Sequence, residues 1–258
     1  MNTNEIKQSY DKNGHFKVSN FFSQEEINQI VNDLSELQKH DSVAYLDENS
    51  ILRRLEQVAY KTPALSNANN KILKLLNEVV EDEMVLFKDK YNVKPPKGEG
   101  FYAHYDGIFI WEDENGNKRN GWHEYAEEFF NVLIAIDKCD AGNGTLEVSN
   151  EIHSDMTFNQ MLEQTYKNGT PQLKQEIEDK ITFHKVDLNP GDIVFFSNRC
   201  PHRSEANNSD TRYRRILYYT YNRLSDGDNY EQYFKDKATS NKNSSTSKAL
   251  SFRKEPTK

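Results

Sequence analysis

Short runs of aromatic and β-branched residues, separated by turns, make up most of the sequence after Met84 and constrain its fold more than any other feature. Met84 to Val93 alternates in side-chain character, and the apolar stretches at 131–137, 192–197 and 215–222 each have the length of one strand. Such composition and spacing predict strands. The sequence shows neither an alternation of strands with helices nor a glycine-rich phosphate loop. We therefore expect a mainly β protein, an antiparallel barrel or jelly roll.

Helices are predicted mainly before these strands. Ser23 to Glu26 has the pattern of a capping box, in which a serine hydroxyl and a glutamate carboxylate each accept from the other's backbone N–H. Apolar residues then recur at helical spacing, and a second helix is predicted over Asn69 to Asp82. Phe16 to Val18 is predicted to be a short strand. The polar stretch from Asp155 to Asp179 is expected to be a helical insertion between strands.

Composition and charge exclude several classes of protein. The formal net charge is -8, which argues against a protein that binds nucleic acid by neutralising phosphates. No apolar run is long enough to span a membrane, and Met1 to Asp11 lacks the apolar core of a signal peptide. Cys139 and Cys200 show no CxxC spacing and are expected to be unpaired thiols in a reducing compartment. These features predict a globular cytoplasmic protein.

A change of composition near the C-terminus predicts the domain organisation. Residues 239–258 are mostly polar and rich in Ser, Lys and Asn. Such a stretch lacks the apolar surface that offsets the entropy cost of ordering. We therefore expect one domain over residues 1–238, carrying the N-terminal helices, and a disordered polar tail from Thr239 onwards.

Two segments carry residue types that bind metals. His104 and Asp106 are two apart, so in an extended segment their side chains point to the same side. A second histidine from a distant strand would complete a 2-His-1-carboxylate triad, which holds Fe(II) by one face and leaves positions open. His202 follows the strand at 192–197, and arginines open the next strand. An arginine there could grip a carboxylate while the histidine holds the metal. A basic surface turn is the alternative.

Four blocks of the chain, between about Gly14 and Lys237, resemble the phytanoyl-CoA dioxygenase-like Fe(II)/2-oxoglutarate oxygenases. They read LFKDKYNVKPPKGEGFYAHYD, GWHEYAEEFFNVLIAIDKCDAGNGTLEVSNEIH, LNPGDIVFFSNRCPHRSEANNSD and RRILYYTYNRLSDGDNYEQYFKDK. The resemblance implies a double-stranded β-helix (jelly roll, cupin-like) with flanking helices. It also implies Fe(II), 2-oxoglutarate and O2 as cofactors.

The resemblance assigns roles to individual residues. His104, Asp106 and His202 match the ligands of the catalytic metal, and Ser204 matches a hydroxyl that contacts 2-oxoglutarate. In an alignment without an extra residue, Tyr213 occupies the position of the arginine that binds 2-oxoglutarate in the family. If the turn carries one extra residue, Arg214 becomes the match, with Arg212 as the alternative.

Further pocket residues are expected from the same blocks. Trp122 and Tyr125 match a GW…Y element that lines the pocket in the family. Lys88, Lys90, Asn92 and Lys94 share one face of the strand before His104, opposite a face that includes Phe87. For Asn92 and Lys94 we expect a pocket role, whereas Lys88 and Lys90 fit a pocket or a solvated strand face equally well.

The resemblance implies a dioxygenase that hydroxylates a small polar metabolite, such as an amine, amino acid or aminophosphonate, and releases succinate and CO2. Asp106 favours hydroxylation, because related halogenases carry a small residue at that position. Three alternatives remain open. They are an oxygenase acting on an acyl-CoA or a natural product, a metal-binding or sensor protein without turnover, and a zinc-dependent hydrolase built on the same triad.

Overall fold

The computed structural model describes residues 3–39, 44–47, 49–149, 158–163 and 171–243, and its longer strands build two antiparallel sheets. The strands are β1 (His15–Val18), β2 (Ala44–Leu46), β3 (Leu52–Glu56), β4 (Met84–Lys94), β5 (Phe101–His104), β6 (Ile110–Glu112), β7 (Lys118–Asn120), β8 (Phe130–Ala135), β9 (Leu146–Val148), β10 (Leu162–Glu163), β11 (Gln172–Leu173), β12 (His184–Val186), β13 (Ile193–Ser197), β14 (His202–Ser204) and β15 (Arg214–Arg223). The large sheet has seven strands in the order β1-β13-β8-β15-β4-β3-β2. The small sheet has four in the order β12-β9-β14-β5.

The two sheets pack against each other around an apolar cluster. Leu133, Phe196 and Ile216 of the large sheet contact Leu146 and Val148 of the small sheet in this cluster. Burying these side chains between two layers is the arrangement expected for packed antiparallel sheets. The jelly roll predicted from the strand pattern is therefore confirmed.

Six α-helices are described, and the first three of them cover the outer face of the large sheet. The six are α1 (Thr3–Asn13), α2 (Gln24–Leu37), α3 (Pro63–Val80), α4 (Phe158–Met161), α5 (Gln175–Glu178) and α6 (Tyr230–Asn243). The apolar faces of α2 and α3 join the outward-facing residues of β4, β8 and β15 in the largest core cluster. The predicted capping box of α2 is confirmed. The Ser23 hydroxyl accepts from the Glu26 N–H at 3.2 Å, and the Glu26 carboxylate accepts from the Ser23 N–H at 2.7 Å.

The second predicted helix begins earlier and ends slightly earlier than Asn69 to Asp82. It starts at Pro63, where Thr62 supplies the cap by accepting a hydrogen bond from the Leu65 N–H. Proline suits the first helical position because it has no N–H to leave unsatisfied. The helix stops at Val80 because Glu81 is left-handed, with φ of 56°.

A β-bulge in β4 changes the predicted alternation of its side chains. Lys88 pairs with Thr220 and Leu86 pairs with Tyr221, which leaves Phe87 as an extra residue. Phe87 consequently joins the aromatic cluster on the cavity side of the sheet, and Leu86 joins the outer core. The prediction that Phe87 lies on the face opposite Lys88 is therefore wrong, because a bulge shifts the period of a strand by one residue.

The insertion at 155–179 is not one helix. Within its described residues, 158–163 and 171–179, the chain forms the short helices α4 and α5 and the two-stranded β10–β11 ladder. Met161, Leu173 and Ile177 pack against Tyr105, next to β5. The insertion therefore covers the outside of the small sheet through several short elements.

The helix α6 corrects the predicted start of the tail. It continues through Thr239 to Asn243, and its buried residues Tyr233 and Phe234 pack against Trp122 and Phe87. Residues 244–258, the remainder of the predicted tail, lie outside the described residues. None of the helices described is long and apolar enough to cross a membrane. Cys139 and Cys200 are unpaired and buried, as expected.

Replacing Ile72 with alanine should destabilise the fold, because this side chain of α3 is 1 % exposed within the main core. Large-to-small changes of this kind cost about 2–5 kcal/mol. The exposed Lys74 on the same helix offers a matched control, and Lys74→Ala should change the free energy of unfolding by less than about 0.5 kcal/mol. Urea unfolding measures both variants. Equal effects of the two substitutions would contradict the packing of α3 on the sheet.

Candidate metal and co-substrate site

A cavity of about 320 Å³ lies between the two sheets. Its walls come from β3 and β4, from β5 and the loop after it, from β14 and β15, and from α6. The histidines and the carboxylate singled out in the sequence all line this cavity, as do Ser204 and Arg214. The cavity is therefore the place where the predicted site residues meet.

Strand register brings His104, Asp106 and His202 together. His202 at the start of β14 lies directly opposite His104 at the end of β5, and the two ring centroids are 4.3 Å apart. An Asp106 carboxylate oxygen lies 3.6 Å from Nε2 of His202, and the other lies 3.9 Å from Nε2 of His104. One donor atom from each residue fits within a group no wider than 4.8 Å. Such a group could hold one metal ion.

Hydrogen bonds at Nδ1 orient both imidazole rings in the same way. Nδ1 of His104 donates to the Tyr102 carbonyl at 2.7 Å, and Nδ1 of His202 donates to the Cys200 carbonyl at 3.2 Å. Each Nε2 is thereby directed towards Asp106 with its lone pair available, the usual state of a histidine ligand. Burial lowers the pKa of His104. Burial, together with the charge of the neighbouring His104, also lowers the pKa of His202, to about 4. Both rings are consequently neutral near pH 7.

The Asp106 carboxylate is held by the large sheet. Its Oδ2 accepts hydrogen bonds from Nδ2 of Asn131 and from the Tyr218 hydroxyl, each at 3.0 Å. Asn131 is fixed in turn by the Thr220 hydroxyl at 2.9 Å. Burial alone would raise the pKa of Asp106, but His202 and Lys90 hold it below its ordinary range. The carboxylate is therefore ionised and fixed in direction.

Sequence reasoning did not find Asn131 and Tyr218. Asn131 is the one polar residue of β8, and Tyr218 lies within a run of aromatic residues. A polar residue at a buried strand position was the only available signal for Asn131. The partner that it contacts could not be read from spacing, because Asp106 is 25 residues away.

Arg214 differs from its two neighbouring arginines. It is 3 % exposed, lines the cavity, and its Nε has no hydrogen-bond acceptor among the described residues. Arg212 instead forms an exposed bidentate pair with Asp140 at 2.7 and 2.9 Å. Arg215 pairs with Asp137 at 2.7 and 2.8 Å. Of the three, Arg214 is the one in contact with the cavity.

Lys94 lies behind Ser204, at the same end of the site as Arg214. Its ammonium donates to the Ser204 hydroxyl at 2.9 Å, to the Gly144 carbonyl at 3.2 Å and to the Glu205 carbonyl. It does not line the main cavity and borders a separate small void beside Arg214. Lys94 therefore holds the Ser204 hydroxyl in place.

Asn92 and Trp122 line the main cavity. The side-chain Oδ1 of Asn92 accepts from Nε of Arg54 at 3.1 Å, so Asn92 fixes an arginine of the cavity wall. Trp122 is 3 % exposed, and its backbone N–H donates to the Gly107 carbonyl at 3.0 Å. Tyr125 lies outside the cavity lining and donates its hydroxyl hydrogen bond to Asp236 on α6.

Lys88 and Lys90 belong to the cavity wall. The Lys88 ammonium lies 4.4 Å from the centroid of the Trp122 ring, and the Lys90 ammonium lies 4.4 Å from that of Tyr218. Burial lowers the pKa of both, that of Lys90 to about 7. The alternative of a solvated strand face is therefore wrong for both lysines.

Arg54, Tyr233 and Lys237 also line the cavity and were missed in the sequence. They come from β3 and α6, and although Tyr233 and Lys237 lie in the fourth family-like block, no spacing assigned any of the three to the site. Only the folded topology brings them to the site.

Comparison with known proteins agrees with this arrangement. A model of the phytanoyl-CoA dioxygenase family (PhyH) matches residues 10–216. The 2-aminoethylphosphonate dioxygenase of the uncultured bacterium HF130_AEPn_1 is 31 % identical over 164 residues, which cover 63 % of this chain and 55 % of that protein. The methylphosphonate hydroxylase of Gimesia maris is 32 % identical over 170 residues, or 66 % of this chain and 57 % of that protein. The matches thus span little more than half the length of these relatives.

Solved structures show the same fold. EctD from S. alaskensis superposes with a TM-score of 0.68 at 16 % identity, over 88 % of this chain and 78 % of that one. The epimerase SnoN, solved with Fe3+ and alpha ketoglutarate, gives 0.65 at 14 % identity, over 85 % and 82 % of the two chains. Since the family model matches most of the sequence, the chain belongs to the phytanoyl-CoA dioxygenase family.

Proposed function

We propose that this protein is an Fe(II)- and 2-oxoglutarate-dependent dioxygenase that hydroxylates a small polar metabolite and releases succinate and CO2. One observation carries the proposal. A buried arginine without an acceptor at Nε, Arg214, lines the same cavity as the converging donors of His104, Asp106 and His202. A metal site and an unmatched guanidinium together fit a co-substrate that chelates a metal at one end and carries a carboxylate at the other.

The residues present fit both groups. Two neutral imidazoles and one carboxylate are the donor set of the facial triad that binds non-haem Fe(II). His104, Asp106 and His202 would hold the metal, while Arg214 and Ser204 would bind the distal carboxylate of 2-oxoglutarate. When bound, Fe(II) with 2-oxoglutarate supplies the O2 chemistry that oxidises the substrate.

The remaining residues orient these groups. Asn131 and Tyr218 keep the Asp106 carboxylate turned towards the histidines. Lys94 fixes the Ser204 hydroxyl, so that the co-substrate would meet a preformed contact. Groups behind the ligands matter because the direction of a ligand lone pair decides how well it binds. The protein thus contributes binding and geometry.

The size of the cavity favours a small substrate. About 320 Å³ is near the lower end of the range of roughly 300–1,000 Å³ for ligand sites, and 2-oxoglutarate would occupy part of it. That volume suits a metabolite of a few atoms better than an acyl-CoA. The named relatives act on 2-aminoethylphosphonate and methylphosphonate, which supports the same size class. The reaction of a zinc hydrolase would not require Arg214.

Replacing His202 with alanine should abolish Fe(II)-dependent succinate formation and weaken Fe(II) binding by more than about 100-fold, because even groups behind a metal ligand contribute about 10- to 100-fold. The exposed His184 on the adjoining part of the small sheet gives a control, and His184→Ala should leave both unchanged. Anaerobic Fe(II) titration and succinate assays measure the effects. Retained Fe(II) affinity in the His202 variant would remove this residue from the ligand set. Fe(II) binding by the wild-type protein without any succinate release would favour the sensor alternative.

Replacing Arg214 with alanine should raise the 2-oxoglutarate requirement at least about 30-fold, because losing one partner of a buried charged pair costs about 2–5 kcal/mol. Fe(II) affinity should stay nearly unchanged. Arg212→Ala is the matched control, since Arg212 forms an exposed ion pair with Asp140 and does not line the cavity. The KM for 2-oxoglutarate and an Fe(II) titration test both variants. If Arg212→Ala raises that KM and Arg214→Ala does not, Arg212 is the co-substrate residue.

A further inference from the structure

The cavity wall carries more positive charge than the proposed metal and co-substrate contacts use. The cationic side chains that line it are Arg54, Lys88, Lys90, Arg203, Arg214 and Lys237. Several are already paired. Glu56 accepts from Arg54 at 3.3 Å and from Lys237 at 2.6 Å, and Arg203 donates to Glu147 at 2.8 Å. Apart from Arg214, this leaves Lys88 and Lys90.

The Lys88 side chain is largely buried and faces the cavity. It is 8 % exposed, and its ammonium donates to no residue in the described part of the chain. The Trp122 and Tyr233 rings lie on its sides, at 4.4 and 5.4 Å from Nζ. The charges of Glu56 and Asp106 favour the protonated form of Lys88 and burial opposes it, while the ring faces replace only part of the ammonium's hydration. The β-bulge at Phe87 is adjacent and fixes the strand register at this point.

Strand register places Lys88 on the far side of the metal site from Arg214. Along β15, Arg214 comes first, Tyr218 follows, and Thr220 lies beyond it, opposite Lys88 on β4. Tyr218 contacts Asp106, so the metal ligands lie beside the middle of this ladder. A 2-oxoglutarate extending from the metal towards Arg214 would occupy one end. The Lys88 end is then left for the substrate.

Lys90 lies between these two ends. Its ammonium is over the Tyr218 ring, whose hydroxyl donates to Asp106, so Lys90 belongs to the surroundings of the triad. Lys88 also interacts electrostatically with Asp106, but the side chains beside its ammonium are the Trp122 and Tyr233 rings, on the side away from Arg214. Lys88 is therefore the cation best placed to meet a substrate.

We propose that Lys88, between Trp122 and Tyr233, is the substrate's anion-binding subsite, and that the substrate carries a small anionic head group such as a phosphonate, sulfonate or carboxylate. This inference rests on the proposed function, since the substrate end of the cavity is defined by where the co-substrate binds. The dianionic co-substrate is matched by the metal and Arg214, which leaves the Lys88 charge for the substrate. The two aromatic rings provide apolar walls for a short carbon stem.

Calorimetric titration of the anaerobic Fe(II)- and 2-oxoglutarate-loaded protein tests the subsite. The probes are methylphosphonate, ethanesulfonate and propionate, with ethanolamine as the cationic comparison. The wild-type protein should bind at least one of the anions and should bind ethanolamine more weakly. If no anion binds, or if ethanolamine binds more tightly than every anion, the proposal is overturned.

Lys88→Met should weaken binding of the anion at least about 30-fold, the lower limit for losing a buried charged partner. Lys88→Arg should restore most of the affinity, and Lys61→Met, at an exposed position, should have no effect. The 2-oxoglutarate affinity of Lys88→Met should match that of the wild type. Unchanged anion binding in Lys88→Met would overturn the assignment.

Thermal unfolding separates this role from a structural one. Since burial opposes the charge of Lys88 and no described residue accepts a hydrogen bond from it, Lys88→Met should keep the melting temperature or raise it, whereas loss of a residue kept for stability would lower it. The two proposals also fail differently. A wild-type protein that releases no succinate with any probe and binds no 2-oxoglutarate would refute the proposed function. Succinate release together with unaltered anion binding in Lys88→Met would refute the subsite alone.

Discussion

The hydrogen bonds that Asn131 and Tyr218 of the large sheet donate to Asp106, next to the small sheet, are the interaction on which the site depends. They join the two layers of the jelly roll at one buried carboxylate. Polar groups inside a protein need partners, so this contact fixes both the distance between the layers at this point and the direction of the carboxylate. The cross-strand pairing of His202 with His104 then places both imidazoles on the same ion-sized space. The two histidines are thus placed by strand register, and hydrogen bonds from the large sheet fix Asp106 in the turn after β5.

Much of the fold and part of the site followed from local patterns in the sequence. Strand runs such as 131–137, the capping box at Ser23 and the pair His104 and Asp106 depend on neighbours within a few residues, which a sequence displays directly. The bulge at Phe87 was missed because an extra residue in β4 is defined only by the pairing with β15. The early start of α3 was missed because Thr62 and Pro63 carry no apolar periodicity.

The contents of the cavity were harder to predict than its ligands. Lys88 and Lys90 alternate along a strand as solvated residues would, and only the folded structure shows that both line the cavity, with their ammonium groups over the rings of Trp122 and Tyr218. Arg54 and Lys237 reach the same space from distant parts of the chain and are joined there by Glu56. Charge clusters of this kind are a tertiary property. Sequence spacing cannot distinguish a cation that faces a ligand from one that faces water.

The position of α6 has a consequence for how activity and selectivity are divided along the chain. The segment matched by the family model ends at residue 216 and contains the three donors, Ser204 and Arg214. Tyr233 and Lys237 of the cavity wall lie beyond it. A protein with the same core and a different C-terminal helix would offer its substrate a different wall without any change at the donors. The cavity wall is thus completed by a helix that follows the segment matched by the family model.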